Sequence, residues 1–145
     1  MKVRDAMSAD VELANPGQTI REAALRMLEC DIGALPVGEH DRLVGMLTDR
    51  DIAVRAVAVG LSPDTPVSEV MSRDVKYCFD DEELKDVATN MGAVQVRRLP
   101  VVDRDKRLVG IVSLGDVAVC EKPQTTGKAV AGVSVPGGAH SQATH

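Results

Sequence analysis

The sequence predicts an α/β (α+β) protein made of two copies of a β-α-β-β-α unit. Two observations predict it. The chain repeats itself at a nearly constant offset, and each copy alternates a helix-period apolar pattern with short runs suited to strands. The apolar complement also fits a small packed fold. Of 145 residues, 44% are hydrophobic and 27% charged, and Tyr77 and Phe79 are the aromatics. The core must therefore be built from Val, Leu, Ile, Ala and Met.

The repeat carries most weight. Val3 aligns with Val67, Met7-Ser8 with Met71-Ser72, and Asp10-Val11 with Asp74-Val75. Ala24 and Met27 fall on Ala88 and Met91, and Leu35-Pro36-Val37 on Leu99-Pro100-Val101. The second copy has one extra residue, Lys106, in a turn; beyond it Leu43-Val44-Gly45 meets Leu108-Val109-Gly110, and Asp51 meets Asp116. Neither copy is large enough to bury an apolar sheet face alone, so the two are expected to share a core.

In chain order, each copy opens with a short strand near Val11 or Val75. A helix follows. Thr19 and Glu22 have capping-box spacing, and Ile20, Ala23, Ala24, Met27 and Leu28 recur at helical intervals. Leu84, Val87, Ala88 and Met91 do the same in the second copy. Strands are expected over 34–37 and 96–102, where the proline indicates an edge strand or a strand end. Polar turns at 39–42 and 103–107 lead to strands over 43–47 and 108–112. A second helix begins near Asp49 or Leu114.

These signals divide the chain into copy one, 1–60; a linker, 61–66, with Pro63 and Pro66; copy two, 67–121; and a tail, 122–145. The tail is rich in Gly, Pro, Thr, Gln and Ser and is expected to be mostly disordered, with Val130, Val133 and Val135 available for docking.

The segment most suited to chemistry is Gly45-Met46-Leu47-Thr48-Asp49-Arg50-Asp51, repeated as Gly110, Ser113 and Asp116. Thr48 or Ser113 stands at a helix N-cap, where backbone N–H groups and the helix dipole favour a phosphate. A carboxylate three residues on can accept hydrogen bonds from ribose hydroxyls, and the glycine allows close approach. The same residues also make an acidic capping box, worth on the order of 1 kcal/mol with no ligand.

Two β-α-β-β-α copies, each with an apolar-Pro-Val strand and a Gly-x-x-(Ser/Thr)-x-x-Asp end, resemble a tandem CBS-domain pair over about residues 1–120. The stretches at 31–36 and 48–52 look like small standalone bacterial two-CBS proteins, including the hypoxic-response type. The resemblance implies a unit with a pseudo-twofold axis, commonly dimerised through its helices. It also implies clefts between the repeats that bind adenine nucleotides or related ligands. The Ser/Thr would contact phosphate or ribose, and the Asp the ribose. Arg98 matches a family position that reaches a phosphate, although a charge on an edge strand also guards against aggregation. Copy one has Gly33 and Ala34 there, leaving Arg50 as its substitute, so copy two is the better nucleotide site. Val11 and Val75 are candidates for the purine pocket or for ordinary core packing. The ligand-site residues are thus Thr48, Arg50, Asp51, Arg98, Ser113, Asp116, Val11 and Val75.

Other functions fit poorly. The net charge is −5, which with so few aromatics disfavours nucleic acid and anionic membrane. No targeting segment or bilayer-spanning stretch is expected. Cys30, Cys78 and Cys120 have no zinc spacing and read as reduced thiols of a cytoplasmic protein, and no metal site is expected. His40 lies in a turn, and His140 and His145 lie in the tail. No histidine accompanies a nucleophile, so the reading is not an enzyme and needs no obligatory cofactor. Two functions remain. One is a regulatory, sensory module for AMP, ADP, ATP or another adenosyl compound. The other is a ligand-free homodimer that docks on a protein partner, with Thr48, Asp51, Ser113 and Asp116 acting only as caps.

Overall fold

A computed structural model describes residues 1–136. It contains two compact units, Met1–Val11 with Lys76 onward, and Glu12–Val75. The compact units cut across the two sequence copies, 1–60 and 67–121. The residues that begin each copy pack in the unit built from the other.

The unit of residues 12–75 contains helix α2 (Ile20–Cys30), strands β1 (Ala34–Glu39) and β2 (Arg42–Thr48), and helix α3 (Asp49–Asp51). Helix α3 runs on as a π turn, Ile52–Ala56, and a 3-10 turn, Val57–Val59. Thr19 caps α2 by accepting from the Glu22 N–H at 3.1 Å. Strands β1 and β2 are antiparallel, joined by His40 and Asp41, both at positive φ, a two-residue hairpin turn. Ala14 bridges Val37 in parallel, and Ser72 bridges Met46 on the far side. The core joins Ile20, Ala23 and Met27 to Leu35, Val37 and Leu47, and is closed by Val67 and Val70 from the start of copy two.

The other unit repeats this plan. Its elements are α1 (Val3–Ala6), β3 (Cys78–Phe79), α4 (Leu84–Val94), β4 (Arg98–Val102), β5 (Leu108–Ser113), α5 (Leu114–Cys120) and α6 (Pro123–Val133). The sheet order is β3-β4-β5, with β3 parallel to β4, and Ser8 bridges Ile111 beyond β5. Val3 of copy one is fully buried here, against the core of Leu84, Met91 and Leu99. The exchange of leading segments is thus reciprocal: Val3 and Ser8 go to copy two's sheet, Val67 and Ser72 to copy one's.

Three sequence expectations need correction. The first strands lie at Ala14 and Cys78–Phe79, three residues beyond Val11 and Val75, which are both half-buried and outside strands. Pro100 is not on an edge strand but in the central strand of three. It is tolerated because its partner Ile111 gives both backbone groups to Ser8, each at 2.9 Å, so no ladder bond is asked of the proline. The tail is not disordered over its described part. Helix α6 packs on α4, burying Ala129 and Val133, while Val130 and Val135 stay exposed. Small residues allow this: a Cβ on Gly132 would stand 2.6 Å from the Gly92 carbonyl oxygen. Gln95 completes the dock, its Nε2 donating to the carbonyls of Gly132 and Val135 at 3.2 Å each. The expectation for 137–145, with His140 and His145, lies outside the described residues.

Candidate functional site

In both units the predicted hydroxyl and carboxylate meet as a reciprocal capping box. The Asp116 N–H donates to Ser113 Oγ at 3.1 Å, and the Ser113 N–H donates to Asp116 Oδ2 at 2.8 Å. Thr48 and Asp51 repeat this at 3.0 Å in both directions. The strand supplies the extended backbone that an N-cap needs, φ −118° at Ser113 and −115° at Thr48. Both pairs are part-buried, which shields them from full competition by water.

The box does not consume either group. Each hydroxyl accepts with a lone pair and keeps its O–H to donate. Each carboxylate uses Oδ2; Oδ1 carries no hydrogen bond among the described residues. A polyhydroxylated ligand can therefore bond Oδ1 and the hydroxyl while the helix cap stays intact.

The glycines play a different part from the one expected. Gly45 and Gly110 do not leave space for a ligand, because the chain fills it. A Cβ on Gly45 would stand 2.5 Å from Met71 Sδ and 2.9 Å from the Ser72 oxygen; on Gly110 it would stand 2.6 Å from Met7 Sδ and 2.8 Å from the Ser8 oxygen. The helix N-termini also offer fewer free donors than expected. In copy one the first three N–H groups are all engaged: Asp49 with the Gly33 oxygen, Arg50 with Asp49 Oδ1, and Asp51 with Thr48. In copy two Leu114 donates to the Arg97 oxygen and Asp116 to Ser113, and the Gly115 N–H is left without a bond among the described residues.

The basic residues separate the two copies further. Arg98 is exposed and stands directly opposite Ser113 across the β4–β5 ladder, so both belong to one face of the sheet. The equivalent pair in copy one is Ala34 and Thr48. Arg50 is exposed, and its backbone N–H is held by Asp49. The cation that copy one does place is Arg55, missed by the sequence reading. Its Nη1 donates to Ser72 Oγ at 3.2 Å. The available signal was its spacing, four residues after Asp51 and hence on the same helical face. Copy two has Cys120 at that place. Val11 and Val75 are both half-buried.

Among the described residues no group of three or more His, Cys, Asp or Glu is placed to hold a metal ion, and no helix is long and apolar enough to cross a membrane.

Comparison with known proteins matches this arrangement. The CBS domain profile covers residues 3–57 and 67–120. The CBS domain-containing protein YhcV of Bacillus subtilis is 46% identical over 91% of this chain and 94% of its own length. The crystal structure of hypoxic response protein I, which holds two coordinated zinc ions, matches with a TM-score of 0.76 and 40% identity over 84% of this chain and all of that one. The CBS domain pair of MJ0100, solved with 5′-methylthioadenosine and S-adenosylmethionine, matches with a TM-score of 0.71 and 34% identity over 82% of this chain and 94% of that one. Two matched repeats, each ending in the capping box built above, make this chain a member of the CBS-domain family, a pair of regulatory modules in one small protein.

Proposed function

We propose that the chain is a regulatory binding module that takes an adenosyl ligand, AMP, ADP, ATP or a related compound, and works as a homodimer. Ser113, Asp116 and Arg98 are the anchoring set. Thr48, Asp51 and Arg50 form the weaker counterpart in copy one, and Val11 and Val75 are the candidates for the purine pocket. The observation that carries the reading is the pairing of Arg98 with Ser113 beside a carboxylate that still has one oxygen to offer. A phosphate would meet the guanidinium and the Gly115 N–H, and ribose hydroxyls would meet Asp116 Oδ1. The adenosyl complex of MJ0100 supports the ligand class. Such a ligand regulates only through different affinity for two states of the protein. Three free thiols suit a reducing compartment, so the proposed location is cytoplasmic.

Calorimetry and thermal shift with AMP, ADP, ATP, S-adenosylmethionine and NAD test this. A ligand at 100 times its dissociation constant adds about 2.7 kcal/mol of stability. Asp116→Ala should abolish that gain and Asp51→Ala should weaken it less. No response to any of these compounds at millimolar levels would sink the proposal.

A second reading is favoured by the completeness of the caps. Both boxes are satisfied without a ligand, as in a homodimer that only docks on a partner protein. There, Asp51→Ala and Asp116→Ala would cost about 1 kcal/mol of stability each and change no binding curve.

A further inference from the structure

The unit of residues 12–75 holds a cleft of about 220 Å³ that none of the proposed ligand residues lines. Its floor is apolar: Leu35 of β1 and Ala23 of α2, both buried. Leu13 and Leu25 flank it and are exposed, so the apolar surface continues past the mouth. The walls are held without a ligand. Leu13 precedes Ala14, which bridges Val37. The Asn15 N–H donates to Gln18 Oε1 at 2.8 Å, and Arg26 pairs with Glu12, tying α2 to the segment before it.

Volume and charge choose the occupant. Small-molecule sites run to roughly 300–1,000 Å³, so this cleft suits one bulky apolar side chain. Arg26 is neutralised by Glu12, but Glu22 and Glu29 on the rim have no ion pair among the described residues. The rim is therefore negative and favours a cation next to that apolar side chain. Gln18 uses its Oε1, and its Nε2 carries no bond among the described residues, which leaves a donor for a main-chain carbonyl. A second copy of this chain is a poor occupant, since it carries a net charge of −5 itself. Copy two does not repeat the set. Val87 stands where copy one has Ala23, Thr89 where it has Leu25 and Ala93 where it has Glu29, so the floor is bulkier and the rim loses a carboxylate.

We propose that this cleft is a docking site for a partner protein, which inserts one bulky apolar side chain over Ala23 and Leu35 and sets a neighbouring Lys or Arg against Glu22 and Glu29. The inference is independent of the adenosyl reading, because no residue of either capping box takes part.

Random linear peptides displayed on phage and panned on the immobilised full chain, without nucleotide, test it. Sequences that place Leu, Ile, Met, Phe or Trp beside Lys or Arg should be enriched. The best of them, made as a free peptide and titrated by calorimetry, should bind at least about tenfold more weakly to Leu25→Asp, and to Glu22→Lys combined with Glu29→Lys. All three side chains are exposed, and circular dichroism checks that the variants are folded. Asp64→Lys combined with Glu69→Lys makes the same charge change elsewhere in that unit and should keep the affinity within about twofold. No enrichment, enrichment of peptides without basic residues, or a peptide indifferent to Leu25→Asp or to the Glu22 and Glu29 reversals refutes the proposal. Equal weakening by the Asp64 and Glu69 reversals refutes it too, since overall charge alone would then be at work. Sedimentation equilibrium covers the rival occupant: a native dimer lost in both cleft variants would make the occupant a second copy and overturn the basic partner.

Discussion

Met7 crosses Gly110 so closely that a Cβ there would lie 2.6 Å from its sulfur and 2.8 Å from the next carbonyl oxygen, that of Ser8. Met71 and Ser72 cross Gly45 in the same way. The methionine sulfur can swing aside, but the serine oxygen belongs to a backbone bridge and cannot. Gly110→Ala should therefore cost about 1–3 kcal/mol, the range for overpacking, and Gly45→Ala a similar amount. Chemical denaturation measures both. A loss below about 0.5 kcal/mol in either would show that the leading segment is not held against that sheet.

Helix α6 is held by its glycine contact and by one side chain. Gly132→Val pushes a branched side chain into the Gly92 backbone, so α6 should detach while the sheet stays folded. Hydrogen exchange should show lost protection over 123–133 with β4 and β5 unchanged. Gln95→Ala removes its hydrogen bonds to the Gly132 carbonyl in α6 and to the Val135 carbonyl just past it, about 1 kcal/mol each, and should give a milder version of the same pattern.

Much of this plan could be read from the residues. The Gly-x-x-(Ser/Thr)-x-x-Asp repeat placed both capping boxes, and the apolar periodicity placed α2 and α4. What escaped was set by tertiary packing. Local pattern does not reveal that Val3 fills the core of copy two, because an apolar residue near a strand suits either partner. Helix α6 was missed because Gly127 and Gly132 weaken a helix on its own; it exists because Gly92 admits it. Glycine at 45 and 110 was rightly tied to close approach, but the approaching atoms belong to the chain. Arg55 was hidden by its neighbours, an apolar run in which a single cation looked like surface.

The hairpin of copy two carries a cluster that copy one lacks. Arg104 lies 4.1 Å over the Phe79 ring and bonds Asp81 through two nitrogens, at 2.7 and 2.8 Å. The Arg104 hydrogen bond holds the Asp81 carboxyl below the usual carboxylate range. A carboxyl whose pKa is lower folded than unfolded contributes stability above its unfolded value, about 4. That contribution fades as the pH falls through the folded value. Stability measured between pH 6 and pH 3 should therefore fall more gently in Asp81→Asn than in the native chain. Arg104 is exposed and Asp81 partly so, so high salt should narrow the difference. Parallel pH profiles would show that the pair contributes nothing measurable.

The three cysteines provide an internal reporter of opening. Cys30 is exposed, Cys120 is half-buried, and Cys78 is buried in β3, a strand of the copy-two sheet. Burial, aided by the negative charges of Glu82 and Asp80, pushes the Cys78 thiol up to about 12. Only a thiolate attacks alkylating reagents, so at pH 8 Cys78 should react only when its unit opens. Mass spectrometry of iodoacetamide-treated protein should find Cys30 modified first, Cys120 next and Cys78 last. The Cys78 rate should rise in Gly110→Ala, which loosens its own unit, and much less in Gly45→Ala, which loosens the other. An adenosyl ligand on Ser113, Asp116 and Arg98 should slow it, because those residues share the unit of Cys78. Labelling of Cys78 as fast as Cys30 in the native chain would mean that β3 is not closed. A ligand that stabilised the protein without slowing Cys78 would place its binding away from Ser113 and Asp116.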